Sequence, residues 1–246
     1  MAESSRRKCQ SAEGREMKAG IENGKIYDAV NQLVLQAVPA TARSILDLGC
    51  GSGSLGRALK RRSGGDCRIT GVTLSEPEAA LARQYLDEVI VADLNEFESK
   101  GTGSYDCIIC SHVLEHLCWP EILLRRLRAG LAPEGVLVVG LPNILHWKQR
   151  VQFLQGRFRY ADYGLMDRTH FRFFDWSTAR ELISSNGYSI VSAVADGGFP
   201  QGGLVRRLNP FAEIFDKVAL QLAPGIFGWQ FVIVSRVGGD LGSSES

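Results

Sequence analysis

Short, nearly all-apolar runs recur along the chain, with helical spacing between them. SILDLG (44–49), RITGVTL (68–74), VIVADL (89–94), YDCIICSHV (105–113) and GVLVVGLP (135–142) read as strands buried on both faces. Between them LGRALKRR (55–62), PEAALARQYL (77–86) and PEILLRRLRAGL (120–131) have the periodicity of helices, the second opened by Pro77 in its first turn. Ahead of the first strand, KIYDAVNQLVLQAV (25–38) places Ile26, Val30, Leu33 and Ala37 on one helical face, and Pro39 ends it. Towards the C-terminus, WSTARELISSNG (176–187) reads as a helix capped by Asp175 or Ser177 and terminated by Gly187. YSIVSAVAD (188–196) and WQFVIVSRV (229–237) then add two strands.

Strands of this kind alternating with helices predict an α/β fold: a doubly wound, mostly parallel, seven-stranded Rossmann-like sheet. A chain of 246 residues supports one sizeable core. One domain is therefore expected over 21–238, with flexible tails at 1–20 and 239–246. Two segments exceed what the alternation needs. Residues 143–174 are rich in aromatics, arginine and histidine, and 197–228 separate strands that could have formed a tight hairpin. Long decorated connections of this kind are expected to act as a lid over a substrate. Within the second, Phe211, Ile214, Phe215, Val218 and Leu222 share a helical face that is expected to pack on its own domain.

Charge narrows the partners. Lys and Arg number 28 against 27 Asp and Glu, a net charge of +1, so neither nucleic acid nor an anionic membrane is expected as a bulk partner. No run of 18 apolar residues occurs and the N-terminus is polar rather than signal-like, which predicts no integral membrane association and a cytoplasmic location. Nothing sets the oligomeric state, and a homodimer is compatible with it. The six cysteines follow no disulfide spacing. Cys107 and Cys110, near His112 and His116, raise zinc as an option. Residues three apart on a strand point to opposite faces, however, so packed free thiols and no metal are expected.

Residues 45–56, ILDLGCGSGSLG, carry the chemistry. An apolar strand ends in an acid and runs into glycines at 49, 51, 53 and 56. Glycines allow tight turns and close backbone approach, and the following helix N-terminus offers unpaired N–H groups to a nucleotide-like ligand. Gly51-Ser-Gly53-Ser-Leu-Gly56 also satisfies the dinucleotide spacing G-x-G-x-x-G, but an NAD enzyme needs an acid about 20 residues on, and Thr73 stands there.

The form Asp47-Leu-Gly49-Cys50-Gly51-Ser-Gly53 resembles the first motif of the class I S-adenosylmethionine-dependent methyltransferases. The resemblance implies that this loop cradles the amino-acid end of S-adenosylmethionine, with Asp47 orienting its ammonium. EVIVADLNEF (88–97) is similar to the third-strand motif, where Asp93 would accept from the adenine amino group and Leu94 would offer backbone. SYDCIICSHVLEHL (104–117) resembles the fourth-strand stretch and implies Cys110, Ser111 and His112 beside the cofactor. LRAGLAPEGVLVVGLPN resembles the turn into the fifth strand. In this family the second strand normally ends in an acid that grips the ribose hydroxyls. Here Thr73 and Leu74 stand in GVTLSEPE, a form resembling the cyclopropane-fatty-acid synthase branch, where the position of Glu78 contributes. A hydroxyl in place of a carboxylate would cost roughly tenfold in affinity unless Glu76 or Glu78 reaches back.

Methyl transfer is an in-line displacement, so orientation can supply about 7–11 kcal/mol. A base is needed only for a hydroxyl or ammonium acceptor, and histidine is the usual choice. All four histidines fall within 112–170. His116 is the candidate base, and an Asp167–His170 pair the second way to hold a proton-accepting imidazole. Asn143, His146, Trp147 and Arg150 are candidate acceptor-binding residues, with Arg157, Arg168 and Arg172 available to an anionic group. GLPNILHWKQRVQFLQGR (140–157) resembles the methionine-biosynthesis protein W group. The intact DRTHFRFFD is similar to methyltransferases of glycan and natural-product pathways, which implies a small polar acceptor such as a sugar. The alternative implied by the former resemblance is an accessory protein that does no chemistry and activates a partner such as a homoserine acyltransferase.

Overall fold

The computed structural model describes residues 30–98, 104–198 and 211–238. The chain runs α1 (Gln32–Ala37), β1 (Ser44–Leu48), α2 (Ser54–Arg62), β2 (Arg68–Thr73), α3 (Glu76–Ala82), β3 (Glu88–Val91) and β4 (Tyr105–Ser111). It continues with α4 (Pro120–Leu127), β5 (Leu131–Pro142), α5 (Trp147–Leu154), α6 (Trp176–Ser184), β6 (Tyr188–Gly197), α7 (Ala212–Leu222), α8 (Pro224–Phe227) and β7 (Gly228–Val237). The seven strands form one sheet in the order β3-β2-β1-β4-β5-β7-β6. β1 to β5 are parallel, and β7 runs antiparallel to both β5 and β6. This is the expected doubly wound architecture.

Alternation along the central strands divides the core in two. Leu46, Leu48, Ile108, Cys110, Leu137 and Val139 pack on one face, while Ile45, Cys107, Ile109, Val136 and Val138 pack on the other. Cys107 and Cys110 therefore point away from each other and share no metal. Cys50, Cys67, Cys107 and Cys110 are buried free thiols, as expected, whereas Cys118 is disulfide-bonded.

Local chemistry explains the element ends. Ser75 accepts from the Glu78 amide and starts α3 with Pro77 in its first turn. Asp175, rather than Ser177, caps α6, reciprocated by the Thr178 side chain in a capping box. Gly187 leaves that helix at φ 83°. Two expectations need correction. The first helix is shorter than the apolar spacing predicts, because the Asn31 side chain accepts from Val34 N and caps α1 there; Ile26 lies outside the described residues, as do both tails. The apolar face of α7 does not pack on the domain. Phe211, Ile214, Phe215 and Val218 are exposed and Leu222 is 81% exposed. The helix instead turns Ala212, Asp216 and Ala219 inward, small side chains that let it lie close to β6 and α8. Among the described residues no helix is long and apolar enough to cross a membrane.

The winding of the sheet fixes where a ligand fits. From β1 the chain steps outward to β2 and β3, then returns to β4 on the other side of β1 and steps away to β5. The loops that leave β1 and β4 thus diverge at their C-terminal ends, the crevice where open α/β sheets bind ligands.

Candidate active site

The loop after β1 is held open by three left-handed glycines at alternate positions: Gly49, Gly51 and Gly53 have φ of 74°, 52° and 84°. The amides of Gly49 and Cys50 both donate to the Val72 carbonyl, at 2.8 and 2.9 Å, which ties the loop to the end of β2. A Cβ on Gly49 would collide with the Val113 side chain, so the loop after β1 lies directly against the turn after β4. Gly53 stands at the N-cap of α2 without a side-chain cap. At the end of β1, Asp47 is 2% exposed and its Oδ2 has no hydrogen-bond partner. Burial alone pushes its pKa up to about 7. A buried carboxylate with an unused oxygen beside a glycine cradle is a receptor for a cation. The residues present fit the amino-acid end of S-adenosylmethionine.

At the end of β2, the Thr73 hydroxyl donates to Glu78 Oε2 at 2.9 Å, while Glu76 turns outward to Arg83. Glu78 thus brings a carboxylate to the place where Thr73 lacks one, and Leu74 lies half-buried beside it. After β3, Asp93 Oδ1 accepts from the amide and side chain of Asn95 at 2.8 and 2.9 Å, which fixes the carboxylate and leaves Oδ2 out of those bonds. Leu94 packs against the core.

The turn after β4 holds a polar network. Ser111 pairs in register with Gly140 of β5, and the amide of His112 donates to the Gly140 carbonyl at 3.0 Å. His112 has φ 55°, the one non-glycine residue with positive φ among those described. Its Nδ1 lies 3.2 Å from Glu115 Oε1 and its Nε2 2.9 Å from Gln230 Oε1. The Gln230 amide nitrogen donates to Asp196 at 3.0 Å, which turns its oxygen towards the histidine. Both ring nitrogens therefore donate. Burial disfavours the imidazolium, but the hydrogen bond and charge of Glu115, with Gln230, outweigh it and hold the pKa of His112 above its ordinary value. The ring also stacks on Trp229, 6.3 Å between centroids and 9° from parallel.

Glu115 is fully buried and organises the docking of a more distant segment. Its carbonyl accepts from Phe171 N and Arg172 N at 2.9 and 3.0 Å, seating the residues after Asp167 on the turn after β4. His116 Nδ1 then lies 3.2 Å from the Thr169 carbonyl and 3.1 Å from its hydroxyl. That hydroxyl donates to Asp167 Oδ1 at 2.8 Å, so Nδ1 must carry the proton and Nε2 the lone pair. Asp167 acts on His116 through Thr169. The expected Asp167–His170 side-chain hydrogen bond does not form: Asp167 Oδ1 accepts from Thr169 N and Oγ1 in a tight local turn. His170 instead meets His116 edge-on at 4.7 Å. Burial, and next the neighbouring His116, hold its pKa below the ordinary value. The ligand atoms of Glu115, His116 and His170 lie within 4.8 Å of one another.

The four candidate acceptor-binding residues are scattered by comparison. Asn143 is fully buried and donates to the Gly225 and Gly228 carbonyls at 3.1 and 2.7 Å while accepting from Leu145 N at 3.0 Å. It clamps the β5 exit to α8 and the start of β7, and both of its side-chain N–H groups are committed there. Asn143→Ala is expected to lower stability by about 2–4 kcal/mol, since several buried backbone groups lose their partner. Chemical denaturation measures this, with no matching change in KM. His146 is buried at the start of α5, its pKa lowered by burial and by Lys148, with its ring 5.6 Å from Trp147. Arg150 is exposed and donates to the Leu145 carbonyl at 2.6 Å. None of these three has a hydrogen bond or ring contact with the histidine cluster. Arg172 donates twice to the Cys118 carbonyl, at 2.9 and 2.7 Å, and lies over Trp119, an anchor rather than a free anion site. Arg168 pairs with Asp162.

The profile of the methyltransferase-domain family matches residues 21–193. The chain belongs to this family. A trans-aconitate 2-methyltransferase of Delftia acidovorans is 38% identical over 114 residues, covering 45% of this chain and 42% of that protein. A ubiquinone biosynthesis O-methyltransferase of Bordetella avium is 30% identical over 122 residues, covering 45% and 49%. This methyltransferase domain therefore spans less than half the length of the curated relatives it matches. Among solved structures it superposes on a SAM-dependent methyltransferase from Archaeoglobus fulgidus with a TM-score of 0.57 at 18% identity, covering 83% of this chain and 93% of that one. For a Burkholderia thailandensis 1,6-didemethyltoxoflavin-N1-methyltransferase, which contains S-adenosylhomocysteine, the TM-score is 0.58 at 17% identity, covering 93% and 88%. These likenesses carry the fold, and the family carries the cofactor class.

Three residues of the candidate site escaped sequence reasoning: Glu115, Trp229 and Gln230. Glu115 had a readable signal, an acid three residues after His112 inside an apolar run. Gln230 and Trp229 reach the site only through the antiparallel return of β7, which no local pattern announces.

Proposed function

We propose that this methyltransferase domain transfers a methyl group from S-adenosylmethionine to a hydroxyl or amine of a small polar acceptor, with His116 receiving the proton. Asp47 carries the reading, as a buried carboxylate with an unpartnered oxygen beside three left-handed glycines. The cofactor supplies an electrophilic methyl on a cationic sulfur. Asp47 holds its ammonium, Gly49, Cys50, Gly51 and Gly53 give backbone room for its amino-acid end, and Glu78 through Thr73 receives the ribose hydroxyls. Asp93 offers Oδ2 to the adenine amino group with Leu94 beside it, while Ser111 and His112 line the opposite wall. His116 Nε2, oriented by Thr169 and Asp167, takes the acceptor proton as the oxygen or nitrogen attacks.

Residues 143–174 form the lid side of the site. The segment leaves and rejoins the domain at one bridge, Asn143 to Phe174, and exposes Phe158, Tyr160 and Tyr163. Such rings suit a sugar or a natural-product scaffold. The accessory reading draws its force from the missing acid at Thr73. Glu78 in that place weighs for an enzyme.

Turnover tests the proposal. With labelled S-adenosylmethionine, methyl incorporation is expected into at least one class among glycosides, phenols and amines. No incorporation into any of them, together with tight capture of an acyltransferase, would favour the accessory role instead.

A further inference from the structure

We propose that Glu115, His116 and His170 bind a divalent transition-metal ion, with Zn2+ the best match, at the exit of β4. Nothing in the family assignment requires it, and the cysteine and histidine spacing predicts no metal. The inference rests on the site proposed above and gives His116 a different role when the ion is bound, yet its binding test is independent of methyl transfer.

Three observations converge. First, two buried atoms of the cluster have no hydrogen-bond partner: Glu115 Oε2, on a fully buried side chain, and His170 Nδ1. Leaving such groups unsatisfied costs about 1–3 kcal/mol each, more for a charged one. Second, one ligand atom from each of the three residues lies within 4.8 Å of the others, a spacing that a single ion with bond lengths of about 2.0–2.2 Å spans after small side-chain adjustment. Third, the outer nitrogen of His116 is already held as a metal-bound histidine requires. His116 Nδ1 donates to the Thr169 carbonyl, which frees Nε2 for an ion. His170 offers Nδ1, which is buried and has no hydrogen-bond partner.

Two imidazoles and one carboxylate form a nitrogen–oxygen donor set suited to Zn2+ and related ions rather than to Mg2+ or Ca2+. The remaining Glu115 oxygen stays on His112, a hydrogen-bonded carboxylate of the kind that surrounds metal sites. Glu115 is buried while His116 and His170 are half-buried, so the cluster keeps one side open for a further ligand. With the ion bound, His116 is a ligand and no longer takes the proton. The ion then lowers the pKa of an acceptor hydroxyl coordinated at the open position, and its proton leaves to water.

The test is titration of chelator-stripped protein with Co2+, followed by visible absorption, and with Zn2+, followed by thermal unfolding. One ion per chain is expected, with ligand-field bands in the visible and a rise in unfolding temperature on Zn2+. Loss of even an outer-shell partner costs about 10–100-fold in metal affinity. H116Q and H170Q should therefore each weaken Co2+ binding by at least about 100-fold. The proposal is overturned if the unsubstituted protein shows no bands and no thermal shift with millimolar ion. It is equally overturned if near-ultraviolet thiolate bands show the ion on cysteine, or if both folded variants bind as tightly as the parent. A parallel titration with S-adenosylmethionine separates the two readings. Ion binding without cofactor binding sinks methyl transfer and leaves the metal site, and the reverse sinks the metal site alone.

Discussion

Asp47→Asn is expected to weaken S-adenosylmethionine binding by about 10–100-fold while making the ligand-free protein more stable at pH 7.5. Both effects have one cause. The carboxyl is 2% exposed, and burial lifts its pKa from 3.8 to about 7. The unfolded chain therefore ionises this group near pH 4, whereas the folded chain resists until about pH 7. Between those values the native state holds the extra proton, so stability falls as pH rises and levels off above about 7. A raised carboxylate pKa is a cost to folding, on the order of a few kcal/mol here, and the neutral amide removes it. The loss appears on binding, because a charge-assisted hydrogen bond to a cation is worth about 1.5–3 kcal/mol. The pH profile isolates the residue. Below about pH 7 the cofactor must expel a proton from Asp47, so affinity should fall by up to about tenfold per unit between pH 7.5 and 5.5. The ligand's own amino group, which titrates near pH 7.7–8.0, is mostly protonated at pH 7.5 and almost fully so below about pH 7, so it adds little to the slope. Calorimetry on both proteins should give a sloping line for the parent and a flat one for the variant. Equal slopes would remove Asp47 from the site.

Substituting His116 should strike the chemical step instead. In the ion-free protein His116→Ala is expected to lower kcat for a hydroxyl acceptor by about 10²–10⁴-fold, the usual contribution of a positioned base, with cofactor affinity unchanged. Thr169→Val should cost less, since the Thr169 carbonyl still holds Nδ1 and only the hydroxyl link to Asp167 is lost. The acceptor class sharpens the experiment. A carboxylate oxygen has no proton to give up, so against a tricarboxylic acid His116→Ala should lose far less. Comparable losses on both acceptor types would make His116 a structural residue.

Much of this architecture is legible in the chain because it is local. The alternation of Ile108, Ile109 and Cys110 between the two faces of the sheet follows from strand geometry, and the Asp175 cap and the Gly187 stop follow from backbone chemistry. The glycine loop is equally readable, since positive φ at three alternate positions is something only glycine accepts without strain. Distance across the fold is what the sequence conceals. Asp167 and His170 stand three apart and look like partners, yet Thr169 between them takes the carboxylate and relays it to His116, far upstream in the chain. Asn143 looks like a free polar group at a strand end, but the carbonyls of Gly225 and Gly228 take both of its side-chain N–H groups. Thr73 looks like a lost acid until α3 turns Glu78 back onto it. For α7, periodicity marks an apolar face without saying which side of the helix lies against the sheet; the small residues do.

Direct titration of the purified chain with S-adenosylmethionine and S-adenosylhomocysteine, followed calorimetrically at pH 7.5, tests the central claim. One site with micromolar affinity for both ligands is the predicted result. No heat with millimolar ligand would contradict it, and would mean that the glycine loop and Asp47 hold no cofactor.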